Sequence, residues 1–380
     1  MAYPKIFAPL EKIPRPGLVT AISLLISFGF FAWFVLEKRV MEPDLREHLK
    51  LSHQLISGEL IIGHPTFFFL IQLLSGFTQN LDAEMFAVWL IFSVSQYFKI
   101  RLSLDFLKDI FKTDANWLIF ILVLAIQFVI PNTLFTRHYI INNISPNYFH
   151  NGTLLLVWPL VLLFFRHTLL FLEDGKRKRL FYMGGLGLLM ITIKPSFLFC
   201  WIPVMPVYIF LKEKWSRKLN QILVLIMLFL SAVWLQNLWL SQSALVFKIM
   251  FDPFFFFGSW QNHVLVILSG LSFPVALFLF GIRDWIAEKR NLLLFLFFIQ
   301  GLVLSFCFYD VIRGYISPNM TWQSSMVAYF WFLFSVYFVE KLWKSGRWIY
   351  SLVPLLFLAM HLLSAARYLY MVSHIRSFFL

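Results

Sequence analysis

The stretch Thr153-Leu-Leu-Leu-Val-Trp-Pro-Leu-Val-Leu-Leu-Phe-Phe-Arg-His-Thr-Leu-Leu-Phe-Leu172, followed by Lys176-Arg177-Lys178-Arg179 and a second apolar run over 180–193, decides the fold. About 20 mostly apolar residues match the hydrocarbon thickness of a bilayer. Four consecutive cations between two such runs mark a loop held on the cytoplasmic side. Read outward from this hairpin, the sequence predicts further spans at 18–36, 83–99, 116–130, 196–211, 221–240, 264–282, 291–309, 327–341 and 348–367, about eleven in all. The basic start with Lys5, Lys12 and Arg15 precedes a first run too long for a signal-peptide core, with no small-residue cleavage pattern after it, so that run reads as a retained span.

Composition agrees. A 60% hydrophobic fraction with only 13% charged and 19% aromatic residues excludes a soluble enzyme, a disordered chain or a coiled coil. The net charge of +13 belongs to topology rather than to nucleic acid, because the predicted inner segments carry 21 of the 32 Lys and Arg residues. The four at 99–112 are counted among them. Cys200 and Cys307 lie in apolar runs and form neither a disulfide framework nor a metal site. The apolar stretch 65–77 is too short to span and reads as interfacial; counting it as a span would put the 176–179 cluster outside. The N terminus is therefore expected in the cytoplasm and the C terminus outside. No interrupted helix pairs of the transporter kind are visible, and one membrane domain over 1–380 is the simplest account.

This topology puts polar segments 37–82, 131–152, 241–263 and 309–326 on the outer face. In the first, Leu45, Leu49 and Leu55 recur near helical spacing, with Asp44, Glu47 and His48 on neighbouring positions of the other face. A carboxylate one turn from an imidazole suits general base catalysis, yet Asp44 followed by Glu47 equally fits a capping box. Next comes Gly63-His64-Pro65-Thr66, a turn into the interfacial stretch. The second segment is the most polar in the chain and includes Arg137, His138, Asn142, Asn143, Asn147 and His150-Asn151-Gly152-Thr153. Imidazole and amides at a helix mouth suit sugar hydroxyls and phosphate oxygens, and Asn151 or Thr153 equally suits an N-cap. Lys194 before Pro195, and Arg313 beside Asp310, are candidate phosphate clamps; a snorkelling helix-end lysine is the structural alternative. Lys248 and Asp252 lie just before the Phe run of 254–257, an amphipathic outer segment that either dips into lipid to guide an acyl chain or forms a structural interface helix. His167, His361 and His374 read as span ends or packed polar spots.

An acidic residue after the first span, an amphipathic helix and a His64-Pro65 step into a juxtamembrane helix resemble the integral membrane glycosyltransferases of the GT-C fold. The His150-Asn151-Gly152-Thr153 run is similar to a pattern that opens the fourth span in bacterial proteins of this fold. The resemblance covers the layout of residues 1–240, with 241–380 as more variable helices. It implies an all-α polytopic membrane protein with outer juxtamembrane helices in a bacterial inner membrane. It further implies transfer of a sugar, with inversion, from a polyprenyl-phosphate donor to a glycan, lipid or protein acceptor at the outer face. Asp44 would be the base, with Glu47 and His48 beside it. His64, Arg137, His138, His150, Asn151, Lys194 and Arg313 would bind substrate. A divalent metal between Asp44 and His150 is chemically allowed and has no support from spacing. The alternatives are a polysaccharide polymerase and a transporter or flippase of lipid-linked sugars.

Overall fold

A computed structural model describes residues 9–10, 12–39, 42–59, 64–114, 116–133, 144–147, 151–240, 247–253, 260–312, 315–317 and 322–375; within these, several side chains, including those of 42–45 and 47, lie outside the description. The helices are α1 (Pro16–Phe31, continued by a π-helical Ala32–Glu37), α2 (Glu42–Ile56), α3 (Thr66–Leu74), α4 (Leu81–Phe111), α5 (Trp117–Ile126), α6 (Gly152–Asp174) and α7 (Arg177–Ile193). They continue with α8 (Ser196–Glu213), α9 (Arg217–Leu240), α10 (Trp260–Phe280), α11 (Ile282–Ala287), α12 (Arg290–Cys307), α13 (Trp322–Lys344) and α14 (Leu352–Ile375). Eight of the described helical segments are long and apolar enough to cross a membrane by length and composition, so the chain is a multi-pass membrane protein.

The three other expected spans are helical but differ in kind. α4 runs for 31 residues, about 46 Å at 1.5 Å per residue, and carries charges along its length. α5 has only 10 residues, about 15 Å, and gives way to a turn and then to irregular, still apolar backbone at 129–131. In α7 the charged opening Arg177-Lys178-Arg179 leaves a short apolar remainder. The nine-residue α3 is too short to span, in keeping with an interfacial role. The fold is not purely helical either: β1 (Phe247–Phe251), β2 (Phe308–Ile312) and β3 (Tyr315–Ser317) form an antiparallel sheet in that order. Lys248 stands opposite Val311 and Ile249 opposite Asp310. Aromatic and β-branched residues favour strands here, so the segment expected as an interface helix begins as a hairpin partner instead.

A cluster of ion pairs gathers at one end of the bundle. Arg166 pairs with Asp109, Arg290 with Glu173 and with Glu288 (3.2 Å), Lys341 and Arg347 with Asp284 (3.1 and 2.8 Å), and Lys344 with Glu340 (2.9 Å). At the opposite end lie α2, α3, the starts of α4 and α6, the end of α7 and the small sheet.

Irregular backbone also penetrates the bundle. Pro274 supplies no N–H to its preceding turn, and α10 opens at Leu271 (φ −127°, ψ 18°). The carbonyl of buried Ser269, just before this opening, accepts the Asn132 N–H at 2.7 Å. Gly270 lets the Ile144 carbonyl sit where a Cβ would stand. Such backbone is tolerated at membrane depth only when protein surrounds it, and the donors come from α14: His361 Nδ1–H donates to the Ile130 carbonyl (2.6 Å) while the Ser272 hydroxyl lies 2.9 Å from its Nε2. The α10 break and the short α5 are the interrupted helices that the sequence did not reveal.

Lys99 departs furthest from expectation. Counted from sequence among the loop cations, it is 1% exposed within α4, because that helix continues to Phe111. Its ammonium donates to Asn147 Oδ1 (2.7 Å) and lies 4.5 Å from the ring centroid of Trp158 and 4.1 Å from that of Tyr329. Asn147 in turn donates to the Ile126 and Val129 carbonyls, both at 2.8 Å, closing the frayed end of α5. A relay from Gln127 Nε2 to Tyr329 OH (2.8 Å), on to Ser103 Oγ (2.8 Å) and then to the Lys99 carbonyl (2.7 Å) completes the cage.

Candidate functional site

Four elements meet at the end of the bundle opposite the ion pairs. α6 begins at Asn151, whose Oδ1 accepts the Leu154 N–H and the Thr153 hydroxyl, each at 2.9 Å. Asn151 is therefore an N-cap, as its position allows. Gly152, the next residue, has no side chain, and a Cβ there would collide with the ring of Phe67. This close approach seats the mouth of α6 on α3. α7 ends in Thr192-Ile193-Lys194, and the Lys194 ammonium donates to Thr153 Oγ1 (3.4 Å) and stands 4.9 Å from the centroid of Trp322, which opens α13. Thr66, opening α3, donates to Thr192 Oγ1 at 2.9 Å.

His64 joins the same cluster. Its Nδ1–H donates to the Ile191 carbonyl (2.9 Å), which also receives Gln236 Nε2 from α9 (3.2 Å). That bond orients the ring and leaves Nε2 as its acceptor nitrogen, with no partner among the described residues. Burial, aided by the positive charge of Lys194 and opposed by the Ile191 bond, pushes the His64 pKa down to about 4. The folded protein thus binds fewer protons than the unfolded chain between pH 4 and the ordinary histidine value of 6.5. Stability from this group is complete above 6.5, falls as the pH drops toward 4 and is level below it, by at most about 3 kcal/mol. The expected result is a loss of melting temperature across that window in detergent that is smaller in His64→Gln; identical pH profiles would refute the assignment.

Three of the residues expected from sequence, His64, Asn151 and Lys194, are thereby brought together. Asp44 and Glu47 fall in the first two turns of α2, with side chains outside the described residues. Arg137, His138, His150 and Arg313 also lie outside the described residues. His48 differs from expectation: it shares the packed face of α2 with Leu49 and Ser52, its ring 5.7 Å from that of Phe68 and 6.4 Å from that of Phe67. The Ser52 hydroxyl donates to the Phe68 carbonyl (3.1 Å), so the polar members of α2 turn toward α3 because α3 offers them acceptors and rings.

The sequence reading missed a buried carboxylate. Glu84, 1% exposed in the first turn of α4, lies 2.6 Å from His53 Nε2 of α2 and accepts Gln72 Nε2 of α3 at 2.8 Å. This triad ties α2, α3 and α4 together, and the neighbouring Arg39–Asp82 pair (2.7 Å) links the end of the first span to α4. The Asn80 cap and the acids at 82 and 84 satisfy the dipole of α4 by themselves, so nothing local signalled that Glu84 turns inward. Among the described residues no group of three or more His, Cys, Asp or Glu could hold a metal ion.

Compared with known protein families, with characterised proteins and with solved structures, the chain matches none of them.

Proposed function

We propose that the chain is a membrane glycosyltransferase of the GT-C type, moving a sugar from a polyprenyl-phosphate donor to a surface glycan, lipid or protein acceptor at the outer face of a bacterial inner membrane. The observation that carries the reading is the Lys194–Thr153–Asn151 chain beside His64, where a cation, a hydroxyl and a helix mouth converge at one end of the bundle. A phosphate there would meet the ammonium and the positive end of the α6 dipole. In the reaction, an acceptor hydroxyl oxygen attacks the anomeric carbon as the bond from that carbon to the phosphate oxygen breaks. Polyprenyl phosphate leaves with the bonding pair, and the hydroxyl proton passes to Asp44, inverting the anomeric configuration. Lys194 balances charge that grows on the leaving phosphate. The test is the composition and linkage of surface glycans in a deletion strain complemented with wild type or Asp44→Asn at matched membrane levels. Wild type is expected to restore a missing sugar and the variant to fail; equal rescue removes Asp44 from the chemistry, and an unaltered glycan in the deletion strain removes the transferase reading.

Transport of a lipid-linked sugar is the second reading, favoured by the caged Lys99 and the broken α10, because intramembrane cations and interrupted helices mark transport pathways. In that case the deletion strain accumulates the lipid-linked precursor on the inner leaflet with its sugar complete.

A further inference from the structure

We propose that the charged end of the bundle carries a binding site for the phosphate of an anionic phospholipid, a function separate from the transfer chemistry at the other end. The site is a cleft of about 470 Å³ lined by Gly175, Arg177, Glu213, Arg217, Lys218 and Gln221, with Ser216 at its edge. It lies where α6 turns into α7 and α8 into α9. Glu213 is the single carboxylate lining the cleft, and Lys218 neutralises it at 2.7 Å while also donating to the Leu172 carbonyl at 2.9 Å. The guanidinium groups of Arg177 and Arg217 are exposed and pair with no other described residue. Two positive charges therefore remain uncompensated in one concavity.

The adjacent cleft is the internal contrast. It is of similar size, about 450 Å³, but its Arg290 is taken up by Glu173 and Glu288. The chain thus neutralises the guanidinium in one cleft and leaves two bare in the other. Residues opening both α7 and α9 line the first cleft, so the positive ends of two helix dipoles lie at its rim, and neither helix has an acid in its first turn to offset them. Planar guanidinium groups suit the paired oxygens of a phosphate.

A lipid is the source because exposed aromatic residues flank the lining residues in sequence. Trp215, between Lys214 and Ser216, is 70% exposed, and Phe181, one turn into α7, is 81% exposed. Exposed aromatic rings beside cations at span ends sit at headgroup level, where an acyl chain leaves the cleft into the bilayer. Basic pockets between helices on this side of a membrane protein hold anionic headgroups.

The experiment uses the full chain in a neutral detergent, with native mass spectrometry and melting temperature read after adding phosphatidylglycerol, phosphatidylcholine or inorganic phosphate. Phosphatidylglycerol is expected to stay bound and to raise the melting temperature, while the other two leave it unchanged. Arg177→Gln or Arg217→Gln is expected to weaken phosphatidylglycerol binding roughly fivefold each, and the double variant about 30-fold, from about 1 kcal/mol per cation. Lys108→Gln, an exposed cation on the inner half of α4, should leave binding at the wild-type level. Undiminished binding in a monodisperse double variant overturns the site. A rise with inorganic phosphate equal to that with phosphatidylglycerol overturns the lipid as its source.

Discussion

Asn147→Leu is expected to destabilise the folded protein by about 4 kcal/mol, more than removal of the buried cation that Asn147 serves. The side chain of Asn147 is the sole hydrogen-bond acceptor of the Lys99 ammonium among the described residues, and its amide closes two backbone carbonyls at the end of α5. Leucine leaves the buried Lys99 amine facing only the rings of Trp158 and Tyr329 and takes the donors from the Ile126 and Val129 carbonyls, and each buried polar group left unpaired costs about 1–3 kcal/mol. Lys99→Met instead takes the charge away with the stem volume kept. It leaves one amide oxygen short of a donor, a cost of about 1–3 kcal/mol. The double variant should be more stable than Asn147→Leu alone, because the unpaired buried amine is gone. Melting temperatures in detergent for the two single variants and the double variant check this order. If Asn147→Leu costs no more than Lys99→Met, the ammonium draws its stability from the rings alone and the cage has been misread.

The same residues mark the limit of what the sequence discloses. Membrane spans were legible because each needs about 20 apolar residues in a row and the clusters at 176–179 and 341–347 interrupt them. The length of α5 was not, since Phe128, Val129 and Ile130 prolong the apolar run after the helix has ended. Hydropathy registers burial, and irregular backbone buried against α10 and α14 is as apolar as a helix. Lys99 read as a loop cation because it follows an apolar run and precedes Arg101 and Lys108; its partners, Asn147 and Tyr329, come from distant segments that only the fold assembles. Of the candidate site, His64, Asn151 and Lys194 were legible as polar residues at span ends, and the fold joins them. Glu84 was hidden because helix capping already accounts for an acid in a first turn.

Lys194→Gln is expected to lower the turnover of the proposed sugar transfer by about 10²–10³-fold at matched membrane levels, the usual cost of removing one electrostatic donor from a partly dry site. The loss should fall on kcat more than on KM. The donor phosphate carries one negative charge while esterified to both sugar and lipid, and gains a second as the bond to the anomeric carbon breaks. An ammonium beside it therefore interacts more strongly in the transition state than in the ground state, and only that difference accelerates the step. Thr153 and Trp322 hold the ammonium in place, at 3.4 Å and 4.9 Å, so Lys194→Arg should keep the charge, lose the geometry and recover part of the rate. A sugar missing from the deletion strain would name the donor for the kinetic assay. A fall confined to KM would make Lys194 a ground-state anchor for the donor phosphate. Unchanged kcat and KM would leave it a helix-end lysine packed on Trp322, and the phosphate would then have to be held by residues other than Lys194.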